Sequence, residues 1–271
     1  MEVPPVAGNC TRGGSDRPGR RCAMPSVEEQ SELPGAGDMR PVRLRKLEAT
    51  QRLLGDTIAI DERSWQEPCH LPGWTRAHVA THLARNADAF TRVAAGMMTG
   101  INTPLYISER ERFNDIERGS ERRALDLQVD LDTSAGRLYH GLDELGDIDG
   151  SRLVEISPGR KLRIDLLPLA RLREVALHHV DLACGFTVLD MDDDIARWVL
   201  EWTCYWIGDD PRLAPLQIES TSGFHTRLGG TGRPTAVGGS DALLLGWLTN
   251  RLPDDPSVAK TLPALPEGWW A

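Results

Sequence analysis

The segment from about Ile164 to Ala183 constrains this chain most. Leu172, Val175, Ala176, Leu177, Val180 and Leu182 make a helix here apolar on most of its sides. Such a helix belongs inside an assembly of other helices. One stripe interrupts the apolar surface. Glu174 and His178 are four residues apart and share a helical face, and Asp181 continues the stripe. Two readings are open. The stripe is either a solvated polar face on an amphipathic helix or the polar lining of an interior cavity.

The neighbouring segments supply what such a helix packs against. Leu44, Leu47, Leu53 and Leu54 give an approximate helical stripe over Val42 to Ile60. Leu71-Pro72-Gly73-Trp74-Thr75 reads as a turn with Thr75 as an N-cap. A second helix follows to about Met98, with Val79, Leu83, Ala87 and Phe90 on its apolar face. A third helical region spans Ser108 to Leu145, broken near Gly119. Ser151 to Ser157 is a short strand or an extended link. The fourth helix, Ile164 to Ala183, ends at Gly185, a natural C-terminal stop. Four helices of these lengths predict an up-down bundle over residues 41–186.

After Gly185 the pattern changes to a small α+β unit, residues 187–271. A Trp-rich helix is expected over Asp192 to Ile207. A hairpin of Leu216–Ser220 and Phe224–Leu228 follows, then a strand at Arg233–Val237 and a helix at Ser240–Leu252 capped by Ser240. Residues 1–40 differ from both units. They hold five Pro and six Gly and no Phe, Tyr, Trp or Ile. Too little apolar surface is available there to offset the entropy of ordering, so a disordered extension is expected. Met24 and Met39 are alternative starts to test by intact mass.

Composition narrows the function. Lys and Arg total 31 against 40 Asp and Glu, a net charge of −9. That acidic balance argues against a nucleic-acid partner and against a polybasic membrane anchor. The absence of a long apolar run or a signal-peptide core predicts a cytoplasmic protein without a membrane span. Five cysteines, at widely spaced positions and without a CxxC, exclude a disulfide framework or a cysteine zinc knuckle. Any bound metal falls to histidine and carboxylate.

A second polar signal lies on the second helix. His78 and His82 are four apart, and His82 borders the Val79/Leu83/Phe90 face. A lone histidine in that position is ordinarily a satisfied core residue. Facing Glu174 and His178 across a bundle, it would complete a set of two histidines and a glutamate. Three protein ligands leave a fourth position open, the pattern of catalytic zinc. Ni²⁺ or Fe²⁺ would also suit these donors. The arrangement differs from HExxH, because no Glu sits beside either histidine.

Three runs together resemble one known family. They are Leu71-Pro-Gly-Trp-Thr-Arg-x-His-Val-x-x-His-Leu-x-Arg-Asn86, Arg173-Glu-Val-x-x-His-His-Val-Asp-Leu182 and Gly246-Trp-Leu-Thr-x-Arg251. In this order, over about residues 41–252, they resemble the mycothiol-dependent maleylpyruvate isomerase family. The resemblance implies an α+β fold: an N-terminal DinB-like four-helix bundle and a small C-terminal sterol-carrier-like domain. It implies zinc held by His82, Glu174 and His178, and mycothiol as the thiol cofactor. It also implies a catalytic role for Arg251. The usual Gly before that arginine is Asn250 here, a residue that tolerates left-handed backbone angles.

The implied chemistry is cis–trans isomerisation of maleylpyruvate to fumarylpyruvate in aromatic (gentisate-type) catabolism. A thiolate adding to the conjugated double bond makes it single; the adduct rotates and the thiolate leaves. Zinc would keep the mycothiol sulfur deprotonated. Arg251 would clamp a carboxylate or the enolate oxygen of the dianionic substrate. Arg85 is a weaker candidate for cofactor or substrate binding, with a solvated surface arginine as the plain alternative. Asp181 would orient a ligand histidine. No cysteine lies in the three runs, so the nucleophilic thiol should come from the cofactor, with Cys69 the residue best placed to upset that expectation. The same centre could instead activate mycothiol for S-transfer, and a non-enzymatic carrier is the third reading.

Overall fold

The structure, a computed structural model, describes residues 27–157, 159–253, 262–266 and 269. It mixes helix and sheet in two compact units, which divide between Phe186 and Thr187. Among the described residues, no helix is long and apolar enough to cross a membrane.

The first unit holds α1 (Arg40–Thr57), α2 (Arg76–Thr99), α3 (Glu109–Ser120), α4 (Ala124–Glu144) and α5 (Leu167–Asp181). The bundle is made by α1, α2, α4 and α5. Helix α2 packs on α4 and α5, and α1 packs on α5 and α4. The short α3 lies against α2. Gly119 makes that approach possible: a Cβ there would stand 2.3 Å from Thr81 Cγ2. The region 108–145 is thus two helices, broken just after Gly119 as expected.

Local chemistry sets the helix ends. Thr75 is extended and forms a reciprocal capping box with His78, so α2 starts where the turn motif predicts. Ser108 Oγ accepts from the Glu111 amide to start α3. Helix α5 ends at Asp181, ahead of the expected Ala183, because Ala183 itself turns left-handed at φ 51°. The stripe read on α1 is corrected. Leu44 is exposed, and the buried positions are Val42, Lys46, Leu53 and Thr57. A lysine on the inner face hid the true register.

Strand β1 (Leu153–Ser157) pairs antiparallel with β2 (Arg160–Arg163), a strand whose Arg-Lys-Leu-Arg sequence gave no apolar signal. Of the expected extension over 1–40, residues 1–26 lie outside the described residues. From Val27 on, the expectation is corrected. Gln30 is buried, donates to Lys161 O at 2.9 Å and accepts from the Arg163 amide at 2.9 Å. Leu33 is also buried. The open edge of β2 gives this stretch the partners that its own composition lacks.

The second unit contains α6 (Asp193–Ile207), β3 (Leu216–Ser220), β4 (His225–Leu228), β5 (Thr235–Gly239) and α7 (Asp241–Leu248). The sheet order is β4-β3-β5, with β3–β4 antiparallel and β3–β5 parallel. Helix α7 packs on α6. Strand β5 starts two residues later than expected, past Pro234, which has no amide to donate. Helix α7 stops before Leu252 because Asn250 takes φ 54°. The Arg251 amide then bonds back to Gly246 O at 2.7 Å, closing a Schellman turn.

Candidate metal centre

Two helix ends are tied together before any ligand is placed. Arg76, the first residue of α2, donates through Nε to Leu182 O at 2.8 Å and through Nη2 to Ala183 O at 3.1 Å. These carbonyls follow the C-terminus of α5, where a cation is favoured. The His70 amide, in the turn before α2, donates to Asp181 O at 3.0 Å. The start of α2 is therefore pinned to the end of α5. Moving inward from that anchor, α2 brings His82 opposite Glu174 and His178.

The three side chains converge. His82 Nε2 lies 3.0 Å from Glu174 Oε2, and His178 Nε2 lies 3.5 Å from the same oxygen. One donor atom from each residue fits within 4.8 Å of the others. The imidazole rings of His82 and His178 stand edge to face, 4.6 Å between centroids. Trp74 closes one side, its ring 5.9 Å from that of His82. His82 and His178 are buried, and Glu174 is nearly so. The polar stripe of α5 thus faces the interior and not solvent.

The electrostatics follow from burial and partners. Burial holds His82 neutral, with its pKa pushed down to about 3 against the effect of its hydrogen bond to Glu174. Burial would raise Glu174, but hydrogen bonds from His178 and His82 and the charge of Arg173 outweigh it. The carboxyl sits well below its ordinary range. Burial likewise opposes charge on His178, yet hydrogen bonds to Asp181 and Glu174 raise it. Asp181 Oδ2 lies 2.7 Å from His178 Nδ1 and is fully buried. An acceptor at that place suits a hydrogen on Nδ1, the arrangement that would free the Nε2 lone pair for a metal. Two imidazole nitrogens and an ionised carboxylate, with no cysteine, fit a three-ligand zinc site with one open position.

The remaining residues singled out from the sequence are not among these three. His78 is a structural partner, bonded to Thr75 and 3.2 Å from Ser120 Oγ. Arg85 does not join the ligands. Its guanidinium is held by Asp130 at 2.6 and 2.8 Å and by Asp88 at 3.0 Å. Arg251 belongs to the second unit, is buried and donates to Thr249 O at 2.7 Å. The described cysteines, Cys69, Cys184 and Cys204, are free thiols, and burial pushes each pKa up, that of Cys69 to about 11. None is a ready thiolate near neutral pH.

Several residues around the centre were given no role from the sequence, although Arg173 and Asn86 lie in the quoted runs. Arg173 donates to Glu174 Oε1 at 2.5 Å. Arg112 is buried on α3 with Nη2 3.3 Å from His82 Nδ1, and its guanidinium lies over the Tyr106 ring at 5.3 Å. Asn86 Nδ2 donates to the Tyr106 hydroxyl at 3.1 Å, and Arg171 donates to Asn86 Oδ1 at 2.5 Å. Arg112 sits in the charged run Glu109-Arg-Glu-Arg-Phe-Asn-Asp, which reads as a solvated helix. The one clue is spacing: Arg112, Ile116 and Ser120 recur at four residues, and all three are buried.

Comparisons with known proteins bear on the family and the fold. The family model described as "Mycothiol maleylpyruvate isomerase N-terminal domain" matches residues 47–183, a range that contains His82, Glu174 and His178. A crystal structure of the mycothiol-dependent maleylpyruvate isomerase superposes with a TM-score of 0.72 at 24% identity, covering 83% of this chain and 92% of that one. The structure of a mutant of the mycothiol-dependent maleylpyruvate isomerase gives 0.70 at 23% identity, with 80% and 90% covered. No curated protein matches. With over half its length matched by the family model, the chain belongs to the mycothiol maleylpyruvate isomerase N-terminal domain family.

Proposed function

We propose that this protein is a zinc- and mycothiol-dependent isomerase that converts maleylpyruvate to fumarylpyruvate. The observation that carries the reading is the convergence of His82, Glu174 and His178 inside a bundle of this family. Zinc on these ligands would supply a Lewis acid that keeps the mycothiol thiol ionised, for reversible addition to the cis double bond.

The chain's own groups do the rest. Asp181 holds the proton on His178 Nδ1, so Nε2 presents its lone pair. Arg173 neutralises the outer oxygen of Glu174 and keeps that carboxylate ionised in a buried setting. Trp74 and the apolar walls of α2 and α5 exclude water from the ligand face. Arg251 binds a carboxylate or the developing enolate oxygen of the dianion. Asn250, where the family pattern has glycine, takes φ 54° in the Schellman turn, a left-handed angle that glycine adopts freely. Arg85 is the lesser candidate for the thiol: Asp130 and Asp88 hold its guanidinium, although the same two carboxylates also pair with Arg122 and Arg137.

The test is turnover of maleylpyruvate by zinc-loaded full-length protein with and without mycothiol, followed as fumarylpyruvate formed. Turnover with mycothiol alone, lost in His82→Ala together with zinc, is the expected result. Turnover without any added thiol would refute the reading. No turnover in either case, with zinc bound, would move the assignment to thiol transfer onto another electrophile.

A further inference from the structure

We propose that Arg112, with the hydroxyl of Tyr106 beside it, is the bundle's own binding site for a carboxylate of the substrate at the metal centre. The inference rests on the zinc-site reading above and adds a residue of α3 to it.

Arg112 is a buried cation with little to justify its burial. Its side chain is 4% exposed, and its carboxylate partner Glu109 lies 3.6 Å away and is 61% exposed, hence screened by water. Burying a guanidinium without a close anion is costly. The other two arginines around the centre have close acceptors: Arg171 bonds Leu83 O and Asn86 Oδ1, and Arg173 bonds Glu174. Arg112 instead abuts a histidine nitrogen, 3.3 Å from His82 Nδ1.

That contact cannot serve a metal ligand in the way Asp181 serves His178. A neutral imidazole that coordinates through Nε2 carries its hydrogen on Nδ1. Asp181 accepts such a hydrogen from His178. A guanidinium has five donors and no acceptor, so Arg112 cannot accept one from His82. With His82 coordinating, two N–H groups would face each other, and the guanidinium must turn to an acceptor close by. Its planar fork suits a carboxylate, taken bidentately.

Tyr106 supplies the second donor. Arg171 donates to Asn86 Oδ1, so the Asn86 amide group must turn its NH₂ to the Tyr106 hydroxyl. Arg112 on the other side also only donates. Neither neighbour can accept the phenolic hydrogen, which is therefore available to an anion in the same space. A fork of Arg112 and Tyr106 beside the ligand histidine is a site for one carboxylate held next to the open metal position.

The experiment is calorimetric titration of the zinc-loaded full-length protein with maleate, a stable cis dicarboxylate, with zinc content measured in parallel. Wild type should bind maleate. Arg112→Met should weaken binding by roughly tenfold or more, the size of a charge-assisted pair, with one zinc per chain retained. Arg112→Lys should recover part of the affinity, and Tyr106→Phe should lose about threefold. Arg112→Lys also keeps the experiment readable if Arg112→Met folds poorly. Equal maleate binding by wild type and Arg112→Met would overturn the assignment while leaving the isomerase reading in place. Loss of zinc from both Arg112 variants would make Arg112 a support of the ligand set and overturn it too. Zinc-loaded wild type that binds no maleate would overturn both the assignment and the dicarboxylate substrate.

Discussion

Replacing Asp181 by asparagine isolates the contact that sets the ligand tautomer. Asp181 is fully buried, and its Oδ2 lies 2.7 Å from His178 Nδ1. As a carboxylate it can only accept there, which keeps the hydrogen on Nδ1 and the Nε2 lone pair toward Glu174 and the metal. Asp181→Asn keeps the shape, removes the charge, and permits the NH₂ to face the ring, which would place the hydrogen on Nε2. Partners of this kind are worth about 10- to 100-fold in metal affinity, or about 1.4 to 2.7 kcal/mol. Full burial and the short contact place Asp181 toward the upper end of that range. The assay is zinc competition against a chromophoric chelator at constant pH, on full-length wild-type and Asp181→Asn protein. Thermal melting of the metal-free forms serves as a control for folding. A zinc dissociation constant within twofold of wild type, with the fold intact, would refute the argument that His178 coordinates through Nε2.

Arg251→Ala should cut turnover while leaving zinc content unchanged, measured by activity and by metal analysis of the same sample; joint loss of zinc would remove Arg251 from the substrate role. Gly119→Ala should destabilise the fold by about 1–3 kcal/mol in urea, because the new methyl group meets Thr81 Cγ2 at 2.3 Å and α3 must shift; an unchanged midpoint would refute close packing there. Lys46 is buried in α1, and desolvation together with the charges of Arg171 and Arg43 pushes its pKa from 10.5 down to about 8. The unfolded chain therefore holds more protons between those values, so stability rises with pH across that window and the penalty is full below pH 8. Lys46→Met should gain up to roughly 3 kcal/mol at pH 7, less the loss of its contact with the Tyr139 ring, and the gain should shrink toward pH 10.5. A gain independent of pH would refute it.

The parts of the fold visible in the sequence were those where a local rule and the tertiary outcome agree. Thr75 and Ser240 cap their helices in isolation as they do in the structure, and the break after Gly119 follows from glycine in a polar helix. The parts that were not visible depend on partners distant in sequence. Strand β2 is four residues with one apolar member, and pairing with β1 makes it a strand. Gln30 is buried because Lys161 and Arg163, over a hundred residues away, bond both ends of its amide. On α1, periodicity pointed to the leucines, but Lys46 occupies an inner position and Leu44 an outer one. A pattern that scores apolar residues alone has no means to place a buried lysine.

The site divides along the same line. The three converging side chains were legible because metal binding would demand particular donor types at helical spacing, and Glu174 and His178 satisfy that demand within one turn of α5. What surrounds them was not, because a charged residue on a short helix looks the same whether it meets water or a buried imidazole. Arg112 and Arg85 make the point in opposite directions. Arg85 stands one turn from His82, within the family motif, yet its guanidinium is held by two carboxylates, which it shares with Arg122 and Arg137. Arg112 stands outside every motif, in a run of alternating charges, yet it reaches His82 and lacks a close anion of its own. Spacing therefore picks out the groups that could hold a metal, whereas the charge left over for a substrate depends on which cations the fold itself neutralises. That balance is set by contacts between α2, α3, α4 and α5 that no local segment encodes.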